Sequence, residues 1–130
     1  MISMVLRVEP VAWERVKIGH YCQSYVPSKT REFKEACGYL ARRHRPERLL
    51  DGPLRLTARF FLRPPKKRKF DQPAVRPDLD NYIKALKDAL NLIIWTDDSR
   101  VCQYGDGTGK YYDLSPNPRP RIELSVEEIS

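Results

Sequence analysis

The sequence predicts an α+β domain in which a small mixed β-sheet carries two main helices on one face, in the order β-α-β-α-β-β. Residues 54–62 alternate apolar and polar side chains, as a strand with one buried face does. Residues 79–93 repeat apolar side chains every three or four positions, which is typical of an amphipathic helix. A length of 130 residues supports one modest core, so we expect residues 1–130 to form a single domain.

The first part of the chain predicts one strand and one helix. Residues 3–12 alternate weakly and contain a proline, which favours a short strand at a sheet edge. Residues 13–29 have no clear period and predict a loop. We expect Ser28 or Thr30 to cap a helix that runs to about Arg43, because hydroxyl side chains are preferred at the cap position.

The remaining elements are a central strand, a second helix and the last strands. The central strand, residues 54–62, ends at two prolines, and its apolar side chains all point one way: Leu54, Leu56, Ala58, Phe60 and Leu62. The second helix has an apolar face formed by Leu79, Ile83, Leu86, Leu90 and Ile93. Short strands are expected at residues 101–104 and 111–114, and a last strand at residues 121–127.

Positive charge is concentrated in the middle of the chain. The whole protein has a formal net charge of +7, but residues 42–76 alone hold twelve Lys or Arg against three Asp or Glu. Folding does not require such a concentration of positive charge, and the charges repel one another. This concentration predicts either a well-solvated surface or a polyanionic partner.

The cysteines and histidines argue against a zinc site and a disulfide framework. The three cysteines are odd in number and lack CxxC spacing, and the two histidines stand apart: Cys22, Cys37, Cys102, His20 and His44. This usage indicates a reducing cytoplasm. The apolar runs are shorter than a membrane span, and the first residues lack the layout of a signal peptide.

Four aspartates bracket the second helix of this basic chain: Asp78, Asp80, Asp97 and Asp98. Each pair has a structural explanation, since Asp is favoured at helix starts and in turns. The segment between helix and second pair is also long enough, if extended, to bring the two pairs together. Carboxylates gathered there would repel one another unless a cation lay among them. Oxygen ligands select Mg²⁺ or Mn²⁺, which support phosphodiester cleavage.

Two further side chains near the start of this helix are candidates for contact with a phosphate. Lys84 lies four residues after Asp80 on the same helical face, where it would form an ion pair or place a cation beside a scissile phosphate. Asn81 would hydrogen-bond locally at the helix start or bind a phosphate.

The segments "RPDLDNYIKALKDALN" and "WTDDSRV" together resemble the RusA-like family of Holliday-junction resolvases. The shared pattern is D-L-D-N, a lysine four residues after the second aspartate, an apolar helix and a [W/F]-x-D-D turn. The resemblance covers residues 76–101 tightly. It extends to the rest of the chain through its length and element order.

This resemblance implies a Mg²⁺-dependent endodeoxyribonuclease, with Mn²⁺ as a substitute, that binds four-way DNA junctions as a homodimer and makes paired symmetric nicks. Two equivalent sites match the two-fold symmetry of a junction. The catalytic residues that it implies are Asp78, Asp80, Lys84 and Asp98. The metal ligands that it implies are Asp78, Asp80 and Asp98, with Asp97 as a further candidate.

This sequence departs from the family pattern in two segments, and neither segment contains the four aspartates. The segment "YVPSKT" corresponds only roughly to the amino-terminal motif of the family. The glycine-rich residues 105–109 are longer than the strand usual there, which leaves the equivalence of Lys110 open.

A basic loop precedes the D-L-D-N motif and predicts contact with the phosphate backbone, which gives affinity without sequence choice. The DNA-binding candidates are Lys66, Lys67, Arg68, Lys69, Arg76 and Asn81. We expect Phe70, within the loop, to pack on the core rather than wedge between bases. A second set of candidates for phosphate contact is Arg15, Lys17, Tyr21 and Lys29.

Three other interpretations are open at this stage. The chain could be a non-catalytic nucleic-acid-binding module whose aspartates are helix caps and turn residues. It could be a nuclease of the PD-(D/E)xK type. For that type Pro77–Asp78 would start the motif, but the one Glu-x-Lys, residues 32–34, precedes it. It could also be a structural phage protein in which the acid–lysine–acid pattern is coincidental.

Overall fold

The computed structural model describes residues 1–15 and 27–130, and between them the backbone of two short strands. The strands are β1 Ile2–Leu6, β2 Lys17–Ile18, β3 Ser24–Tyr25, β4 Leu54–Leu62, β5 Val101–Tyr104, β6 Gly109–Tyr112 and β7 Arg121–Glu128. The helices are α1 Ser28–Ala41 and α2 Leu79–Leu90, and short 3-10 turns cover Arg42–His44 and Asp98–Arg100.

The main sheet is mixed and has the order β1-β7-β4-β5. Strand β4 pairs antiparallel with β7 and parallel with both β5 and β6, which lie one after the other along its other edge. Strand β1 pairs with β7 and forms the opposite edge, as the interrupted pattern of residues 3–12 predicted. The predicted α+β class and the element order are confirmed.

Alternation on the two central strands builds the core. Leu54, Leu56, Ala58 and Phe60 of β4 are fully buried, and Ile122, Leu124 and Val126 of β7 are buried beside them. The same core contains the apolar faces of both helices, including Phe33, Ile83 and Leu86. Burial of one such large side chain stabilises the fold by about 1.5–3 kcal/mol. This packing fixes α2 against β4, where the rings of Tyr82 and Phe60 lie 5.6 Å apart.

Strands β5 and β6 are separated by a glycine turn that presses on β4. A side chain at Gly105 would collide with Thr57, since a Cβ atom there would lie 1.9 Å from the hydroxyl oxygen. Gly107 has a φ of +90°, which favours glycine. The hydroxyl of Thr108 accepts from the N–H of Ala58 at 3.2 Å, where a strand carbonyl would otherwise bond.

Three local expectations were wrong. Helix α1 begins at Ser28 itself, with Pro27 at the cap position and no side-chain cap, because proline already fixes a φ of −54° there. The segment predicted as a loop, residues 13–29, contains β2 and β3, which are too short to leave a period. Residues 90–95 form a compact turn rather than an extended return, and Leu92 takes a φ of 64°.

Among the described residues, no helix has both the length and the apolar character that crossing a bilayer requires.

Candidate active site and nucleic-acid interface

Asp78 and Asp80 lie at the start of α2 with exposed carboxylates. Asp78 occupies the cap position, yet its side chain makes no capping hydrogen bond; its backbone carbonyl accepts from the N–H of Asn81 at 3.1 Å. Asp80 stands in the first turn, where a negative charge favours the helix dipole. Within the described ranges, neither carboxylate has a hydrogen-bonding or ionic partner. Capping therefore does not account for Asp78, and both side chains are free to bind a ligand.

Asp97 and Asp98 follow the buried side chain of Trp95. The carboxylate of Asp97 accepts from the backbone N–H of Ser99 at 2.9 Å, so Asp97 caps the short turn that leads into β5. Hydrogen bonding to the side chain of Ser99, and then to its backbone N–H, lowers the pKa of Asp97. Asp98 accepts from the indole N–H of Trp95 at 2.8 Å, which fixes its orientation.

Asp98 lies in an environment that disfavours the charged form of its carboxyl group. Partial burial raises the pKa of its carboxyl, the indole hydrogen bond opposes this, and repulsion from Asp88 and Asp97 adds to it. The opposing cation is Lys87. These neighbours place Asp98 beside the last turns of α2, whereas Asp80 belongs to the first turn.

The two acid pairs do not converge in this chain. The described residues contain no group of three or more His, Cys, Asp or Glu side chains that could hold a metal ion. The reason is the turn after α2, in which the N–H groups of Ile93 and Ile94 both donate to the carbonyl of Leu90. This turn keeps the chain near the carboxyl end of α2. The helical rise between Asp80 and Asp88 is about 12 Å.

The donor chemistry at the start of α2 nevertheless fits a hard cation. Asp78 and Asp80 offer oxygen ligands that nothing in the described structure occupies. Mg²⁺ is commonly bound by one or two carboxylates while water and substrate phosphates complete its coordination, rather than by an all-protein cage. The assignment of Asp78, Asp80, Asp97 and Asp98 as metal ligands stays a prediction.

Lys84 is held by an aromatic ring. Its ammonium lies 3.5 Å from the centroid of the Trp13 ring, a cation–π contact, and Lys84 makes no ion pair with Asp80 in the described structure. The N–H of Trp13 donates to the carbonyl of Asn81 at 2.9 Å, which ties the segment before β2 to the first turn of α2. The catalytic role of Lys84 and the DNA contact of Asn81 stay predictions.

The basic loop is exposed and anchored at its carboxyl end. Pro73 is buried, and the ammonium of Lys110 on β6 donates to the carbonyls of Val75 at 2.5 Å and Pro77 at 2.8 Å. Lys110 thus clamps the residues that lead directly into Asp78. The charged side chains before this anchor face solvent: Lys66, Lys67, Arg68 and Lys69, with Arg76 within it.

Two side chains of the loop differ from expectation. Phe70 is 51% exposed rather than packed on the core, because it lies in a loop whose neighbouring residues 65–72 are all exposed; the ammonium of Lys69 lies 5.7 Å from its ring centroid. Arg68 pairs with Asp71 at 3.3 Å, which leaves less of its charge for a phosphate than the three lysines have. Among the second set of candidates, the side chains of Lys17 and Tyr21 lie outside the described residues, as do those of Cys22 and His20.

Two contacts in this region were not found from the sequence. Trp13 lies in a segment without a period, so no pattern marked its ring as the partner of Lys84. Lys110 was left open because its segment departs from the expected strand. The signal that could have found it is its position on β6, a strand that pairs with the end of β4 next to the basic loop.

The chain is similar to known proteins over most of its length. A family model described as endodeoxyribonuclease RusA matches residues 7–127. A protein of Bacillus subtilis (strain 168), described as uncharacterized protein YqaN, is 34% identical over 116 residues, which cover 80% of this chain and 78% of that protein.

Proposed function

The chain belongs to the RusA endodeoxyribonuclease family, and from this premise we propose that it is a Mg²⁺-dependent, structure-selective nuclease that resolves four-way DNA junctions by paired symmetric nicks. The observation that carries the proposal is the pair of exposed, unpartnered carboxylates of Asp78 and Asp80, which begin α2 directly after a clamped basic loop. A single domain spanning residues 1–130 and a homodimer are parts of the same proposal.

In this proposal, Asp78 and Asp80 would hold the cation. Mg²⁺, or Mn²⁺ in its place, would supply Lewis-acid stabilisation of the phosphate and activation of the attacking water. The chain contributes the orientation: Asp78 is fixed by the Lys110 clamp on one side and by the helix on the other.

Lys84 stabilises the negative charge that develops on the phosphate. It is exposed, lies one helical turn beyond Asp80, and is aimed by the ring of Trp13. A positive charge held in place needs no reorganisation when the reaction occurs, which is the main source of such stabilisation.

The proposed roles of Asp97 and Asp98 depend on the formation of a homodimer. Asp98 has one carboxylate oxygen bound to the indole of Trp95 and another available, beside the last turns of α2. In a two-fold dimer residues of both chains can contribute to each site, so Asp98 can serve the site of the partner protomer.

The basic loop, Arg76 and Asn81 bind the phosphate backbone on both sides of the scissile bond. Three lysines without acidic partners in the described structure supply most of this attraction: Lys66, Lys67 and Lys69. Such contacts are independent of base sequence, which suits a substrate recognised by its branched shape.

The test is to incubate the protein with a fixed four-way junction, labelled on each strand in turn, with and without Mg²⁺. We expect symmetric nicks in two opposed strands only when Mg²⁺ is present. Asp78→Asn and Asp80→Asn should each lower the nicking rate by roughly a hundredfold or more, since each removes a charged ligand from the reacting phosphate.

Asp106→Asn is the matched control, because Asp106 is exposed in the glycine turn and has no partner among the described residues. It should nick as the wild type does. Equal nicking by Asp80→Asn and the control, or nicking that persists in EDTA, would contradict the assignment.

One observation favours the alternative, a non-catalytic nucleic-acid-binding module whose aspartates are caps and turn residues: Asp97 does cap a turn. That alternative predicts no nicks under any condition and unchanged junction binding by Asp80→Asn. The nuclease proposal predicts that Asp80→Asn binds the junction as tightly as the wild type or more tightly, since one negative charge facing phosphate is gone.

A further inference from the structure

Four arginines follow α1 within seven residues, and all four side chains are exposed: Arg42, Arg43, Arg45 and Arg48. We call residues 42–48 the arginine turn. Arg42 and Arg43 belong to the 3-10 turn at the carboxyl end of α1, where positive charge offsets the negative end of the helix dipole. The dipole does not account for Arg45 and Arg48, since its effect falls off within the last turn.

The guanidinium groups of the arginine turn have no acidic partner in the described part of the chain. Arginines elsewhere do: Arg55, Arg100 and Arg121 each pair with a carboxylate at 2.9–3.1 Å. Glu47 is the one acid within the turn, so its net charge is +3 with His44 neutral. Unpaired positive charge at this density repels itself and is relieved by a polyanion.

The residues that follow the arginine turn are anchored next to the acidic turn of Asp97 and Asp98. The N–H of Leu50 donates to the carbonyl of Ile94 at 2.9 Å, and the carbonyl of Leu50 accepts from the N–H of Thr96 at 3.0 Å. Asp51 accepts from the hydroxyl of Thr96 at 2.6 Å and pairs with Arg100 at 3.1 Å. The chain that directly follows the arginine turn is therefore fixed by hydrogen bonds to the residues just before the second acid pair.

Each acid pair consequently has a basic segment tied to it. The basic loop leads into Asp78 and Asp80 at the first turn of α2. The arginine turn leads into Leu50 and Asp51, which hydrogen-bond to Ile94 and Thr96 just before Asp97. Helix α2 has 12 residues, a rise of about 18 Å. Along one strand of duplex DNA, that length corresponds to roughly five phosphates.

We propose that the arginine turn is a second phosphate-binding surface for DNA, separate from the basic loop and acting independently of it. The inference rests on the proposed function, since the acids define where the DNA lies. The basic loop holds the backbone at the start of α2, and Arg45 and Arg48 hold backbone phosphates near its end.

The test measures binding rather than cleavage. The full-length protein is titrated into a fluorescent four-way junction in EDTA at several salt concentrations, and Arg45→Gln/Arg48→Gln is compared with the wild type. Loss of two phosphate contacts should weaken binding roughly ten- to thirtyfold at 0.15 M salt and reduce the slope of log K against log salt by about 1.8. Both side chains are exposed, so the melting temperature should not change.

The matched control is Arg7→Gln/Arg119→Gln, which removes the same charge from two exposed arginines beside Asp113 and Asn117. It should retain the wild-type slope. A third variant, Lys66→Gln/Lys67→Gln, tests whether the two surfaces act independently. When it is combined with Arg45→Gln/Arg48→Gln, the loss of binding free energy should equal the sum of the losses of the two separate variants, as it does for sites that do not interact.

The inference is overturned if the arginine variant matches the control in affinity and slope, or if the combined variant binds no more weakly than the lysine variant alone. Neither result bears on nicking. Conversely, an absence of Mg²⁺-dependent nicks contradicts the proposed nuclease and leaves the binding comparison readable.

Discussion

At the scale of single residues, the contact between Trp13 and Lys84 restricts the conformations of the long, flexible Lys84 side chain. A free lysine samples many rotamers, and a ring 3.5 Å from its ammonium selects a few of them. An exposed cation–π contact is worth about 0.5–1 kcal/mol.

We therefore expect Trp13→Leu to lower the rate of junction nicking about two- to fivefold, since Lys84 would spend less time near the phosphate. Trp13→Phe keeps a ring face and should retain most of the rate. The same Trp13→Leu change in a Lys84→Ala background should have no further effect on nicking. An equal loss in both backgrounds would show that Trp13 acts through packing alone.

Asp98 gives a prediction for pH. Partial burial raises its pKa in the folded protein, so the folded state holds that proton more tightly than the unfolded chain does. The sign follows: stability that is present below the unfolded pKa, about 3.9, is lost as pH rises through the folded pKa. In EDTA at pH 7, Asp98→Asn should therefore melt at a higher temperature than the wild type, and the difference should vanish in acid.

Thermal melts between pH 3 and pH 8 measure this difference in melting temperature. The control is Asp106→Asn, whose melting temperature should follow that of the wild type at every pH. Millimolar Mg²⁺ should reverse the order at pH 7, because a bound cation stabilises the ionised carboxylate. A wild-type melting temperature that does not respond to Mg²⁺ would count against Asp98 as a ligand.

At the scale of elements, Lys110 joins β6 to the start of α2 across the basic loop. Its two hydrogen bonds hold the carbonyls of Val75 and Pro77, and each charged bond of this kind contributes on the order of 1 kcal/mol when partly exposed. The clamp sets where Asp78 begins the helix.

Lys110→Met should release this segment while leaving the core intact. We expect trypsin to cut after Lys66–Lys69 several times faster than in the wild type, together with a lower nicking rate and a loss of about 2 kcal/mol in the free energy of unfolding. Lys34→Met, an exposed lysine of α1 without partners in the described structure, is the control. Unchanged cleavage of the loop would mean that Pro73 alone anchors it.

Elements with a strong period were predictable, and elements defined by tertiary contacts were not. Alternation identified β4 and β7, and the three-four spacing identified α2, because burial on one face dictates those patterns. Strands β2 and β3 have two residues each and leave no such pattern. The cap of α1 was missed because Pro27 already fixes the backbone that Ser28 or Thr30 was expected to stabilise.

At the scale of the whole molecule, the sequence shows which acids flank α2 but not how the two pairs lie relative to one another. Chain length allowed Asp98 to return to Asp80, but reach is only an upper bound. The turn at Leu92 and the pairing of Leu50 with Trp95 shorten the path and leave Asp98 beside Lys87. This pairing joins residues that are 45 positions apart in the sequence, so no local sequence pattern predicts it.

The glycine turn between β5 and β6 has a consequence for the behaviour of the protein in concentrated solution. An unbroken outer strand offers a row of free amide groups on which another molecule can template fibril growth. Here the outer ladder stops after Tyr104 and resumes only at Gly109, and the backbone between them is drawn in against Thr57. Neither fragment is longer than four residues, so this margin of the sheet is a poor seed for aggregation.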